Sequence, residues 1–184
     1  MSTIRRASFL SAFVAAAGAG LCPLSAIADG AKPGPYCLPV NPRAQHGIIP
    51  FELPVLGGAG ETMKSTEIAG KSIWLNFFAS WCGDCNVEMD DLLAVYSKYH
   101  DEGLTLVGID VAEPTARAVG FRDRFRIPYP ILMDSRGEVF DRMVGTNHLP
   151  THMFYSESRI LTCVGIEGFT AKDMENEVAV ALGG

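Results

Sequence analysis

Clusters of lysine and arginine are missing from this chain. Its 184 residues hold 15 basic and 21 acidic side chains, a formal net charge of -6 at pH 7. Without a basic face there is little to neutralise a phosphate backbone, which argues against nucleic-acid binding as a main role. Low-complexity tracts and internal repeats are missing too, so scaffolds built from either are excluded. No apolar run reaches the ~20 residues that a spanning helix needs, since the Ala7–Leu21 stretch stops at about 15. Nor is there a second C-x-x-C beside the one at Cys82 and Cys85, which weighs against a structural zinc site built from two such pairs. What remains is a chain 48% hydrophobic and 20% charged, long enough for one domain with a proper core.

The first 28 residues read as a signal peptide. Arg5 and Arg6 give a positive start, Ala7–Leu21 the apolar stretch, and Ala26-Ile27-Ala28 the small residues of a cleavage site. Leu21 is too large for a lipoprotein site at Cys22, and "RRASFL" matches a twin-arginine signal imperfectly, so ordinary secretion is favoured. The expected location is the periplasm, with a membrane tether if the segment stays uncleaved. Cleavage would remove two arginines and no acids, and would leave Cys37, Cys82, Cys85 and Cys163. An even cysteine count in an exported chain suggests one close pair and one long-range pair.

Residues 29–47 are rich in proline and glycine and read as an extended arm, with a domain over 48–184. "IIPFELPVLGG" and "ETMKSTEIAGK" read as a hairpin. "SIWLNFFAS", residues 72–80, is the apolar run of a strand buried on both faces. From Gly83 the period becomes helical: Cys85, Met89, Leu92, Leu93 and Tyr96 lie on one side, and Glu88, Asp91 and Lys98 on the other. That helix should run to about His100, with Gly103 beyond it. "LTLVGIDV" reads as a second buried strand, followed by a helix with Pro114 in its first turn. "YPILMD" reads as a strand, Val139-Phe140 as a brief helix, and 151–158 with 159–169 as two antiparallel strands. A final helix is N-capped by Thr170. The alternation argues a mixed-sheet α/β domain.

Cys82 therefore stands where a strand ends and a helix begins. Unsatisfied N–H groups there carry partial positive charge and favour a thiolate. Cys85, about a turn further in, can attack a mixed disulfide formed at Cys82, which is what thiol-disulfide exchange requires. A purely structural bridge is disfavoured, because so short a loop gains little from closure. Copper(I) held by both thiolates with His148 or His152 is a further reading; the plainer one for each histidine is a solvated loop or strand-edge side chain.

"WLNFFASWCGDC", with "LPTHMFY" some way downstream, resembles the thioredoxin superfamily, and within it the exported TlpA/ResA-like thiol-disulfide oxidoreductases. The resemblance implies a thioredoxin-like fold: a central mixed β-sheet flanked by helices, an N-terminal β-hairpin and a central αβ insertion. It implies Cys82 as attacking cysteine, Cys85 as resolving cysteine, and a redox-active disulfide between them. Trp81 would stand at the site's rim, and Leu149, cis-Pro150 and Thr151 would hold a substrate backbone. Glu113, after the second buried strand, would relay a proton to or from Cys85; the plainer reading is a surface glutamate at a helix start. No cofactor and no metal is implied.

Two departures bear on direction. Asp84 stands where the family often has proline, and no histidine lies between the cysteines. A negative charge there disfavours the thiolate and makes the couple more reducing. The expected activity is reduction of disulfides in exported proteins, apocytochrome c or copper-site proteins among them, with a membrane thiol donor restoring the dithiol. A thiol peroxidase and a copper carrier are the alternatives. Parity favours a structural disulfide between Cys37 and Cys163, against Cys163 as a small buried hydrophobe.

Overall fold

The computed structural model describes residues 37–38, 47–145, 148–166 and 168–183. The expected signal peptide lies outside them, as does the arm apart from Cys37, Leu38 and Gly47. Along the chain run β1 (Cys37–Leu38), β2 (Glu52–Pro54), β3 (Thr62–Lys64), β4 (Ser72–Phe78), α1 (Gly83–Tyr99) and β5 (Leu104–Val111). Then follow α2 (Thr115–Phe125), β6 (Ile131–Asp134), α3 (Glu138–Met143), β7 (Thr151–Ser156), β8 (Leu161–Ile166) and α4 (Ala171–Leu182).

Six strands form one sheet in the order β1-β8-β7-β4-β5-β6, and β2-β3 make a separate antiparallel hairpin. β4 runs parallel to β5 and antiparallel to β7, so the sheet is mixed. Every residue of β4 is buried, because its two faces serve two cores. Trp74 and Phe78 meet α1, α2 and α4 with Met89, Leu92, Phe121 and Val178. Ile73, Leu75 and Phe77 meet the hairpin and α3 through Leu53, Val139 and Phe140. Each large apolar side chain buried this way contributes roughly 1.5–3 kcal/mol. A central mixed sheet flanked by helices, with an N-terminal hairpin, is the architecture the resemblance implies.

Several local expectations are adjusted. β4 stops at Phe78, and the chain turns through Ala79–Cys82, where Cys82 N–H donates to Ala79 O at 3.1 Å. α1 gives way to a 3-10 turn at His100–Glu102, closed by Gly103 at φ 108°, a conformation that glycine adopts without a Cβ clash. Pro114 caps α2 from outside instead of standing in its first turn. The larger correction is Glu88, expected on the outer side of α1 and found buried on its inner face. At i+3 from Cys85 and i−4 from Leu92 it shares their stripe, and a buried polar partner makes the inward position tenable.

Candidate functional site

Register brings distant segments to one end of the sheet. Phe77 at the end of β4 pairs with Thr151 at the start of β7, and Phe78 pairs with Asp110 near the end of β5. The Ala79–Cys82 turn, the Leu149–Thr151 segment and the Val111–Glu113 exit of β5 therefore gather at the carboxyl ends of the parallel strands. The Leu149–Pro150 bond is cis, and the Thr151 hydroxyl donates to His148 O at 2.6 Å.

Cys82 is the N-cap of α1, and its Sγ accepts the backbone N–H of Cys85 at 3.1 Å. The two sulfurs are bonded to each other across a Cα–Cα distance of 5.3 Å. A helix N–H, that of Cys85, thus points at the sulfur that would carry negative charge once the bond opens. Asn86 braces the turn: its Nδ2 donates to Ser80 O at 3.1 Å and to Cys82 O at 2.6 Å. Its Oδ1 accepts from Arg124 at 2.9 Å. Trp81 is 59% exposed and Val87 82% exposed, which leaves apolar surface beside the pair. A groove of about 260 Å³ runs along this side, lined by Asp84, Val87, Glu88, Asp91 and Phe169 among others. A larger groove of about 780 Å³, between the hairpin and α3, contains none of the sequence-predicted site residues.

Glu113 is 3% exposed, not a surface residue. Its carboxylate accepts the Ser80 N–H at 2.8 Å and the Ser80 hydroxyl at 2.5 Å, which anchors the turn carrying Cys82. Beside it Asp110 is buried, and burial together with the neighbouring Glu113 pushes its carboxyl up to about 9. Asp110 escapes a sequence reading, since an aspartate at the end of a strand more often reaches water. The signal that could have found it is the continuous apolar run around it.

His152 corrects another expectation: it is 0% exposed, not a solvated edge side chain. Its Nδ1 accepts from Trp74 Nε1 at 3.1 Å, and its Nε2 lies 3.1 Å from Glu88 Oε1. Cys37 and Cys163 are bonded as well, at a Cα–Cα distance of 5.4 Å, and tie β1 to β8. Their sulfurs and a carboxylate oxygen of buried Glu177 lie within 4.8 Å of one another.

Residues 45–163, from just before the hairpin into β8, match the AhpC/TSA family. The chain belongs to that family. Among curated proteins, the thiol-disulfide oxidoreductase ResA of Halalkalibacterium halodurans is 29% identical over 133 residues, 72% of this chain and 74% of that protein. The ResA of Geobacillus thermodenitrificans is 32% identical over 92 residues, which is 50% of this AhpC/TSA-family chain and only 52% of the relative. A thioredoxin-family thiol:disulfide interchange protein from Chlorobium tepidum superposes with a TM-score of 0.66 at 24% identity, over 79% of this chain and 99% of that one. A secreted thiol-disulfide isomerase from Corynebacterium glutamicum gives a TM-score of 0.73 at 18% identity, over 82% and 94% of the two chains. At such identities these structures establish a shared fold.

Proposed function

We propose that this thiol-disulfide oxidoreductase works in the reducing direction, on disulfides of exported partner proteins. The observation that carries the exchange chemistry is the Cys82–Cys85 pair at the N-terminus of α1, with an N–H of the helix directed at Cys82 Sγ. The Cys82 thiolate attacks a partner disulfide, and one partner sulfur leaves and takes up a proton. Cys85 then gives its proton to Glu113 and attacks Cys82 Sγ, so that the second partner thiol leaves. Two electrons have passed to the partner, and the enzyme holds the Cys82–Cys85 disulfide. A membrane thiol donor restores the dithiol. Trp81, Leu149, Pro150 and Thr151 form the bed for the partner's backbone.

Asp84 next to the pair supports the reducing direction through like-charge cost to a thiolate. The leader over residues 1–28 supports export to the periplasm, where apocytochrome c or copper-site proteins would be the partners. Against copper carriage by this site, both ring nitrogens of His152 are already engaged. The test is capture. A Cys85→Ser variant expressed in its native host should hold partners as mixed disulfides through Cys82, and mass spectrometry names them. The reading fails if nothing is captured, or if the couple of the parent protein is as oxidising as about -120 mV.

A further inference from the structure

Away from the 79–82 turn, a second cluster of chemistry-bearing side chains joins β1, β8 and α4. Cys163 of β8 lies in the core that α4 closes, packed with Met174, Val178 and Ala181. Cys37 reaches the same face because β1 pairs antiparallel with β8. It stands opposite Gly165, two residues along from Cys163. Across from them, α4 buries Met174, Glu177, Val178 and Ala181, the i, i+3, i+4, i+7 stripe of a core-facing helix. Three of those four are apolar, and the fourth is a fully buried glutamate.

Nothing in a disulfide staple asks for that acid. The bridge has no proton to donate and no charge to balance, so a leucine or methionine at position 177 would pack there at lower cost. The placement of the acid is nevertheless definite. A Glu177 carboxylate oxygen and the sulfurs of Cys37 and Cys163 all lie within 4.8 Å of one another. Glu177 Oε1 accepts from the Asn176 side-chain amide at 3.2 Å, which orients the group.

Opened by reduction, the same three donors form a ligand set. Two thiolates and a carboxylate suit Zn2+, which takes sulfur at ~2.3 Å and carboxylate oxygen at ~2.0–2.2 Å in tetrahedral geometry. Ligand atoms around such an ion stand roughly 3.5–4 Å apart. Donors already within 4.8 Å of one another therefore need little movement. Copper(I) is softer and is served less well by a carboxylate oxygen. Cys163 is buried and Cys37 only partly so, which gives an ion its way in past Cys37. Water or the second Glu177 oxygen completes the fourth position, and Asn176 aims the ligating carboxylate.

We propose that Cys37, Cys163 and Glu177 are a redox-switched zinc site, a disulfide when oxidised and a Zn2+ centre of two thiolates and one carboxylate when reduced. A dithiol donor of the class invoked above gives two electrons and two protons to the bridge. The bridge opens to two thiols while the donor closes into a disulfide. Zn2+ then takes the place of the two thiol protons, which pass to water. In both states β1 stays tied to β8. The site goes beyond the exchange at Cys82 and Cys85 and does not rest on its direction.

The experiment uses the full chain carrying Cys22→Ser, Cys82→Ser and Cys85→Ser, so that Cys37 and Cys163 are its only thiols. It is reduced with a phosphine, freed of it under nitrogen, and titrated with Zn2+ against a chromophoric chelator. The reduced chain should hold a single Zn2+, and the oxidised chain none. Co2+ in its place should give thiolate charge-transfer bands and the visible bands of a tetrahedral site. Cys37→Ser should abolish binding. Glu177→Gln should weaken it at least about tenfold, since changes outside the ligand shell alone cost about 10–100-fold. If Glu177→Gln does not fold, Asn176→Ala serves: it keeps all three ligands and should weaken Zn2+ about tenfold. No binding by the reduced chain, or equal binding by the reduced and oxidised chains, overturns the inference. So does an affinity within about twofold of the parent in whichever of the two variants is read.

Discussion

Asp110 and Glu88 are two acids buried within the same domain, with different neighbours. Glu88 is hydrogen-bonded through Oε2 to His152 Nε2 at 3.3 Å. Asp110 has no hydrogen-bond donor among the described residues and is pushed up to about 9 by burial and by Glu113. Its folded state therefore holds a proton that the unfolded chain releases near the ordinary carboxylate range, and stability falls as pH rises from about 4 toward 9. Asp110→Asn lacks this proton linkage. It should be more stable than the parent at pH 7, and chemical denaturation should show the gap narrowing by up to ~1.4 kcal/mol per pH unit on going to pH 5. A gap constant with pH would mean that Asp110 is ionised in the fold. Sequence patterning surrounds Asp110 with a buried apolar run but set Glu88 on the outer side of α1, and it is silent on charge state, which depends on the atoms across the gap.

At the scale of elements, α1 and α4 carry the argument by their N-termini. α1 begins with Cys82 as its cap, so the reactive sulfur receives what a serine or aspartate oxygen receives elsewhere. α4 begins with a reciprocal capping box: Asp173 N–H donates to Thr170 Oγ1, and Thr170 N–H donates to Asp173 Oδ2. Thr170→Ala should cost about 1 kcal/mol in thermal or urea unfolding. Because Thr170 follows Phe169, which covers His152, the same variant should also speed hydrogen exchange in this segment. Strands and helices were largely legible beforehand. The apolar run of β4, the 3.6 period of α1 and the Thr170 cap are local signals, and local chemistry sets them. The inward turn of Glu88 was not legible, because its polarity set it with Asp91 and Lys98 on the outer side and its partner lies 64 residues away.

For the whole molecule, the long tie is Cys37–Cys163, which closes a separation of 126 residues and holds β1 to the edge of the sheet. In the chain-entropy account a loop of this order adds ~3–4 kcal/mol by restricting the unfolded state. Cys37→Ser, which leaves buried Cys163 in place, should lower the unfolding free energy measured in urea by that amount with little change in secondary structure. Loss of less than ~1 kcal/mol would show that the strand pairing β1–β8 already holds the arm. The same variant should leave the Cys82/Cys85 equilibrium with glutathione unmoved, since the bridge stands on the far strand of the sheet from β4.

Sequence alone determined the identities and local settings that chemistry needs: two cysteines spaced by two residues at a strand-to-helix junction, an acid after the second buried strand, and a proline in "LPTH". These follow from propensity, period and capping, which act over a few residues. Tertiary structure decided what depends on register. Pairing β4 with β7 set His152 opposite Asn76, on the face where Trp74 and α1 meet it. The end of β5 likewise brought Glu113 under Ser80 and left Asp110 in the dark beside it. Whether a buried carboxyl keeps its proton or its charge is fixed by donors that arrive from other strands, and no window along the chain contains them.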